Sequence, residues 1–138
     1  MKNTEAGFGQ MTNSELIDRA RAAAAAAHAP YSGVRVGAVL VGASGRIYTG
    51  ANVENASYGV TICAERACLA HAVNEGETVF RKLVVYSPSL LPVPCGACLQ
   101  FMSEFFRGRE QIIVVSDRAI NTFLFRDLFP HPFALRKP

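Results

Sequence analysis

Long apolar runs and clustered charge are both scarce in this chain of 138 residues. No run approaches the roughly 18 consecutive apolar residues that a membrane span requires, so we expect no membrane partner. Charged residues make up 18% of the sequence and the formal net charge is +3, with lysine and arginine scattered rather than grouped. A nucleic-acid binder usually carries a basic stripe or patch, so we expect no nucleic-acid partner either.

The first residues also lack the apolar stretch of a signal peptide. Residues 1–11 are polar and contain glycine, which favours a flexible N-terminal tail followed by a single domain over residues 12–138. Only four cysteines are present, and without a secretion signal they favour reduced thiols and metal binding over a disulfide framework. We therefore expect a cytoplasmic protein.

Helix and strand signals alternate along the chain. Thr12 and Glu15 form a capping-box pattern before an alanine-rich helix that Pro30 ends. A glycine-containing turn then joins two β-rich runs into an antiparallel hairpin. The order of elements indicates an α/β fold with one mixed sheet covered on both faces. The predicted elements are helices over 12–27, 63–74 and 95–106, strands over 34–41, 46–53, 82–86, 111–115 and 119–122, and a last helical turn before Pro130.

Three cysteines carry the strongest chemical signal. Cys95 and Cys98 are three residues apart, so on the first turn of a helix both sulfurs can point the same way. Cys63 completes three ligands for a tetrahedral zinc ion and leaves a fourth position open, which is the arrangement of a catalytic site. Glu65 follows Cys63 closely enough to exchange a proton with water at that position. Cys68 lies about 140° around the helix from Cys63, so a buried hydrophobic thiol is expected there.

Several blocks of sequence surround these ligands in a fixed order. They are Pro30-Tyr31-Ser32, Val36-Gly37-Ala38, the run from Asn52 to Arg66, Pro94-Cys95-Gly96-Ala97-Cys98, and a weaker block of Asp127-Leu128-Phe129-Pro130 followed by Phe133. In this order they resemble the small homotetrameric cytidine deaminases, over nearly the whole chain. The cysteines and the glutamate are the three-cysteine form of the zinc deaminase signature. The resemblance implies a three-layer α-β-α fold around one mixed five-stranded sheet, with one zinc ion per chain.

The resemblance also implies roles for individual residues. Asn52 and Glu54, whose side chains leave the same face of a strand end, match the residues that hold the ribose. Arg66 matches an arginine that hydrogen-bonds to thiolate sulfur and offsets the charge of about −1 that three thiolates leave on zinc. From the residues alone, Arg66 could instead be solvated on its helix. The other implied substrate contacts are Ala64, Val34, Tyr58 and Phe133, with Phe133 reaching a neighbour's site in the homotetramer.

The activity implied is hydrolytic deamination of cytidine and 2′-deoxycytidine to uridine and 2′-deoxyuridine with release of ammonia, a reaction of pyrimidine salvage. Hydroxide attacks C4 of the base, while Glu65 protonates N3 and then the departing amino group. The family usually has phenylalanine where this chain has Val34 and often has arginine where it has Leu99. The alternative is therefore a deaminase of the same fold that acts on modified or N4- or C4-substituted cytosine nucleosides.

Two other classes of protein compete with this interpretation. A structural zinc module would need a fourth ligand, and Cys68 is badly placed to provide it. A thioredoxin-like oxidoreductase is compatible with two cysteines at a helix start, but it leaves Cys63 and Glu65 without a role. In a metal analysis of the purified protein, about one zinc ion per chain would favour the deaminase. A protein without zinc would favour the oxidoreductase. The histidines lack metal-ligand spacing and are expected to be structural or exposed: His28, His71 and His131.

Overall fold

The computed structural model describes residues 11–135, which are built around one five-stranded sheet with strand order β2-β1-β3-β4-β5. β1 pairs antiparallel with β2 and β3, β3 pairs parallel with β4, and β4 pairs antiparallel with β5. The sheet is therefore mixed, as predicted. The elements are α1 Asn13–Ala24, β1 Gly37–Gly42, β2 Ile47–Ala51, α2 Ala64–Asn74, β3 Phe80–Tyr86, α3 Gly96–Ser103, β4 Gln111–Val115, β5 Ile120–Leu124 and α4 Phe125–Leu128.

Helices cover both faces of the sheet. On one face α1 packs through Leu16 onto strand residues that include Val39. On the other face α2 and α3 pack through Leu69 and Met102 onto residues that include Leu40. Successive residues of a strand point to opposite faces, so the continuous apolar run of β1 serves both layers. This arrangement confirms the predicted three-layer α-β-α fold.

The first helix begins as predicted and ends one turn early. The side chain of its N-cap, Thr12, accepts a hydrogen bond from the third helical residue, which completes the capping box. After Ala24 the backbone tightens, and the N–H of Ala27 donates to the Ala24 carbonyl. Arg35 then donates through Nη1 to the carbonyls of Ala25 and Ala27, at 3.0 and 2.9 Å. Because carbonyls at a helix end need partners, this arginine accounts for the earlier end.

The predicted hairpin is present, but its outer ends differ from the prediction. β1 begins at Gly37 rather than Val34, and β2 ends at Ala51 rather than Val53. Beyond Ala51, the side chain of Asn52 hydrogen-bonds to the backbone of Val34 and Val36, which precede β1. These bonds take the place of regular strand pairing. Other differences are small: β3 begins at Phe80, α3 ends at Ser103 and β5 covers Ile120–Leu124.

α2 comes very close to the sheet at Gly50. A Cβ built there would lie 2.5 Å from the backbone nitrogen of Cys68 and 2.8 Å from its Cα. The Cys68 thiol is buried and donates to the Tyr48 carbonyl at 3.2 Å, and burial raises its pKa. The absence of a side chain at Gly50 therefore sets the depth of α2, whose first turn carries Glu65.

The predicted tail over residues 1–11 lies outside the described residues except for Met11, which is partly buried against the α1 layer. The division into a tail and one domain stays a prediction. Between residues 11 and 135, no helix combines the length and the apolar character that crossing a membrane demands.

Candidate active site

Three cysteine sulfurs meet where α2 and α3 begin. Cys63 is the N-cap of α2, Cys95 is the N-cap of α3, and Cys98 lies in the first turn of α3. The Sγ–Sγ distance is 3.9 Å from Cys63 to Cys95 and 3.5 Å from Cys95 to Cys98, and the three ligand atoms all lie within 4.8 Å of one another. The fold thus brings together the three thiols that the sequence predicted as ligands.

This cluster has the dimensions of a zinc site. Zn–S bonds of about 2.3 Å in a tetrahedron place the sulfurs about 3.8 Å apart, close to the observed spacings. The fourth cysteine, Cys68, donates its hydrogen bond to the Tyr48 carbonyl, on the side of α2 that faces the sheet. Three thiolates with one open coordination position are typical of a catalytic zinc site, whereas a structural site has four protein ligands.

The surroundings of the cluster favour thiolate. A hydrogen bond from Cys98 and the guanidinium of Arg66 lower the pKa of Cys63 to about 5, although partial burial opposes this. The same thiol pair acts in the opposite direction on Cys98, whose pKa is raised by its bond to Cys63 and by burial. Arg66 Nη2 lies 3.9 Å from Cys63 Sγ and donates to the Thr61 carbonyl at 3.1 Å. Negative charge therefore collects at Cys63, beside a fixed cation.

Glu65 lines the same pocket as Cys63 and Cys95 and is only 6% exposed. Burial raises the pKa of its carboxyl to about 7, and the negative charge of Cys63 acts in the same direction. An acid–base group is most effective when its pKa lies near the working pH. Glu65 is thus suited to accept and release protons near neutral pH.

The pocket beside the cluster has a volume of about 230 Å³. Binding sites for small molecules are typically concave and mostly apolar, with a few convergent polar groups. Both apolar and polar residues line this pocket. Besides Cys63, Cys95 and Glu65, the lining consists of the apolar residues Val34, Val36, Ala64, Leu90, Pro92 and Val93 and the polar residues Ser32, Asn52, Glu54 and Thr61.

Glu54 is buried and holds the chain segment in front of the pocket. Its Oε1 accepts hydrogen bonds from the backbone N–H groups of Tyr31 and Ser32, at 3.0 and 3.1 Å, and its Oε2 accepts one from the Ser32 hydroxyl. The hydroxyl bond is the main cause that lowers the pKa of Glu54, so the group is ionised at neutral pH. An ionised carboxylate lining a small pocket can accept further hydrogen bonds from hydroxyl groups of a ligand.

The structure places four of the predicted substrate contacts in the pocket and two elsewhere. Val34, Asn52, Glu54 and Ala64 line it. Tyr58 lies in a 3₁₀ turn over Tyr58–Val60 and is 67% exposed, and the side chain of Phe133 is 69% exposed. Of the other positions considered, Leu99 is buried in the core, and the histidines His28, His71 and His131 are exposed.

Sequence reasoning missed part of the pocket. Thr61 and the loop residues Leu90, Pro92 and Val93 line it, although no role was predicted for them. For the three loop residues, the only signal in the sequence was their position, because the loop leads directly to the ligand Cys95. Ser32 lies in a block that was recognised, but its hydrogen bonds to Glu54 depend on a contact across 22 residues.

Comparison with known proteins agrees with this geometry. Residues 10–115 match the family model described as the cytidine and deoxycytidylate deaminase zinc-binding region. A probable cytidine deaminase of Dictyostelium discoideum is 46% identical over 114 residues, which cover 79% of this chain and 77% of the relative. A cytidine deaminase of Halalkalibacterium halodurans is 38% identical over 130 residues, which cover 86% of this chain and 98% of the relative.

Solved structures give the same picture. The crystal structure of cytidine deaminase from Burkholderia pseudomallei superimposes with a TM-score of 0.84 at 38% identity, covering 89% of this chain and 100% of that one. The structure of cytidine deaminase from Mycobacterium tuberculosis gives a TM-score of 0.78 at 34% identity, covering 91% and 100%. The chain therefore belongs to the zinc-binding cytidine and deoxycytidylate deaminase family.

Proposed function

We infer that this protein is a zinc-dependent cytidine deaminase, which converts cytidine and 2′-deoxycytidine to uridine and 2′-deoxyuridine and releases ammonia. The observation that carries the inference is one pocket lined by Glu65, whose carboxyl is buried, and by Cys63 and Cys95, two of the three thiols of the cluster. Neither a closed structural zinc site nor a dithiol redox centre requires that combination.

The residues divide the chemistry as follows. Cys63, Cys95 and Cys98 would hold the zinc ion, which supplies the Lewis acidity that brings deprotonation of water close to neutral pH. Glu65 accepts a proton as the water oxygen attacks C4 of the base, and it donates that proton to N3. It then takes the second proton of the former water and passes it to the 4-amino group. The C4–N4 bond breaks, ammonia leaves and a C4 carbonyl remains.

The pocket walls account for binding of a nucleoside. The aliphatic side chains of Val34, Ala64 and Val93 provide apolar contacts for a pyrimidine ring. Glu54, ionised and buried, provides an acceptor for ribose hydroxyl groups, and Asn52 lies beside it. Arg66 compensates the thiolate charge of Cys63. Recovery of uridine from cytidine is a reaction of pyrimidine salvage, and we propose that the enzyme serves it. We propose the cytoplasm as its compartment.

A homotetramer gives Tyr58 and Phe133 a role that the single chain does not. The segment around Tyr58 exposes large apolar side chains, as does the C-terminal part of the described chain: Val53, Tyr58, Val60, Ile62, Phe133 and Leu135. Burial between subunits removes this apolar surface from water. Mixing Glu65→Gln subunits with Phe133→Ala subunits tests the idea, because a Phe133→Ala site can borrow Phe133 from its partner and regain activity. An active monomer in sedimentation, or a mixture no more active than its parts, contradicts it.

Hydrolysis of N4-substituted cytidines is a second candidate function. Within residues 11–135, no aromatic side chain lines the pocket, and Val34 is one of its partly buried aliphatic walls. A valine occupies less volume than an aromatic ring, so a wall of this kind leaves room for a larger substituent at the base.

A substrate panel with a zinc assay tests these functions together. The purified protein is expected to contain about one zinc per chain and to release ammonia from cytidine and deoxycytidine, with free cytosine a poor substrate. Release of methylamine from N4-methylcytidine would support the second function. Glu65→Gln is expected to keep zinc and lose about 10²–10⁴-fold in kcat, while the exposed Glu104→Gln serves as the matched control. A zinc-loaded parent that releases no ammonia from cytidine would contradict the proposal.

A further inference from the structure

Residues 130–135, at the C-terminal end of the described chain, are held to α3 by one side chain. Gln100, two residues after the ligand Cys98, donates through Nε2 to the Phe133 carbonyl at 2.9 Å. Among the residues that the structure describes, this is the one hydrogen bond formed by segment 130–135. The last backbone hydrogen bond before the segment belongs to the N–H of Phe129. The Gln100 amide therefore fixes the path of the chain beyond that point.

The amide of Gln100 is itself oriented by Ser103, the last residue of α3. The Ser103 hydroxyl donates to the Gln100 carbonyl at 2.6 Å and accepts from Gln100 Nε2 at 3.3 Å. A side-chain amide nitrogen carries two N–H donors, so both donors of Gln100 have a partner. One partner belongs to the helix and the other to the C-terminal segment, which makes the amide a bridge between them.

The backbone of Phe133 is anchored, whereas its side chain is exposed. The preceding aromatic residue, Phe129, packs instead against the core on the α2 and α3 side of the sheet. Pro130 and Pro132 stand between the two aromatics and fix φ at both positions, which limits the paths that the segment can take. A ring presented from a stiff, anchored segment can bind a partner with little further loss of conformational entropy.

We propose that Gln100 is a positioning residue, which holds the backbone of Phe133 against α3 so that the phenyl ring reaches the pyrimidine in a neighbouring subunit's site. The proposal rests on the deaminase function and the homotetramer proposed above. It couples two sites, because the helix that carries two zinc ligands of one subunit also anchors an aromatic wall of the next. Loss of the Gln100 amide then affects the neighbour's substrate rather than the zinc cluster of its own subunit.

Steady-state kinetics on cytidine test the role of the amide. Gln100→Ala is expected to raise KM about tenfold, as for loss of one aromatic contact, with kcat and zinc content close to those of the parent. Stacking on the base holds the substrate before and during the reaction, so its loss appears mainly in KM. In a Phe133→Ala background, Gln100→Ala is expected to add nothing further.

The matched control is Gln111→Ala, at an exposed position at the start of β4, and it is expected to keep the parent's KM. A parent KM in Gln100→Ala would overturn the proposal. Additive effects of Gln100→Ala and Phe133→Ala would also overturn it, because the amide would then act on something other than the ring.

Mixed tetramers separate an effect on the neighbour from damage within the same subunit. Co-expression of Gln100→Ala subunits with Glu65→Gln subunits places an anchored Phe133 beside sites that keep Glu65. Part of the activity is therefore expected to return to the parent's KM. If all of the activity keeps the raised KM of Gln100→Ala, the amide acts within its own subunit and the proposal is wrong.

A fluorescence measurement covers a Gln100→Ala protein that does not fold. The chain contains no tryptophan, so Phe133→Trp introduces a single reporter at the proposed contact. Gln100→Glu has nearly the same size as the parent side chain, but its ionised carboxylate cannot donate to the carbonyl of residue 133. In the Phe133→Trp protein it is expected to shift the emission to longer wavelength, because the indole becomes more exposed to water. Unchanged emission would overturn the proposal. A parent inactive on cytidine would contradict the proposed function instead, since the emission shift needs no substrate.

Discussion

Replacement of Gly50 by alanine tests how the depth of α2 controls the site. The added Cβ would lie 2.5 Å from the backbone nitrogen of Cys68, and the neighbouring Cα and Cβ are 2.8 and 2.9 Å away. Backbone atoms cannot rotate aside, so α2 must move outward by about 1 Å to restore contact at about 3.5 Å. Overpacking of this kind costs about 1–3 kcal/mol of the free energy of unfolding.

The same movement displaces the start of α2, which carries Glu65 and follows Cys63. A shift of about 1 Å at a catalytic group can cost about 100-fold in rate, which is about 2.7 kcal/mol of activation free energy, so we expect Gly50→Ala to lose activity as well as stability. Denaturant unfolding, zinc content and kcat on cytidine measure the three effects. Gly59→Ala is the control for stability, since a Cβ at Gly59 meets no atom within 4 Å. A Gly50→Ala enzyme with unchanged unfolding and kcat would refute the reasoning.

Three further predictions concern the cluster, the pocket wall and the hairpin turn. Cys98→Ala is expected to lose zinc and at least about 100-fold in activity, whereas Cys68→Ala is expected to retain about one zinc per chain by metal analysis; a zinc-free Cys68→Ala protein would contradict the ligand assignment. Val34→Phe is expected to raise the preference for cytidine over N4-methylcytidine by about tenfold or more, and an unchanged ratio of kcat/KM values would remove Val34 from specificity. Although burial opposes it, hydrogen bonds from Ser44 and Tyr48 lower the pKa of Glu77 below 4.5. Glu77→Gln is therefore expected to lower the free energy of unfolding by about 1 kcal/mol at pH 7. This difference should shrink as the pH falls below 4.5, because the parent's carboxylate is then protonated, first in the unfolded and then in the folded chain. A difference that does not vary with pH would exclude the ionised carboxylate as its source.

Sequence patterns predicted the features that depend on near neighbours. The capping box at Thr12 and the spacing of Cys95 and Cys98 are local, and they were found as expected. The ends of α1 and β1 were misplaced because Arg35 and Asn52 reach backbone groups that are 8 to 18 residues away. These hydrogen bonds between side chains and distant backbone groups form only in the assembled fold, so no periodic pattern in the sequence predicts them.

The pocket follows the same rule. Its chemical groups could be predicted because the ligands and Glu65 form a dense motif, but its apolar walls could not. Leu90 and Val93 lie in a loop without regular structure, and they belong to the site only because the fold places that loop at the same pocket as the start of α2. We propose above that Tyr58 and Phe133 act through neighbouring subunits; in the single chain both side chains are exposed.

The positions of Cys63 and Cys95 as helix N-caps place two demands on the same side chains. Serine, threonine, asparagine or aspartate at an N-cap would bond to the first N–H groups of the helix, whereas neither thiol forms such a bond within the described part of the chain. Cys63→Ser or Cys95→Ser would therefore give a better cap and a poorer metal ligand. At these two positions a stronger helix cap and a better metal ligand exclude each other, so the starts of α2 and α3 favour metal binding over helix capping.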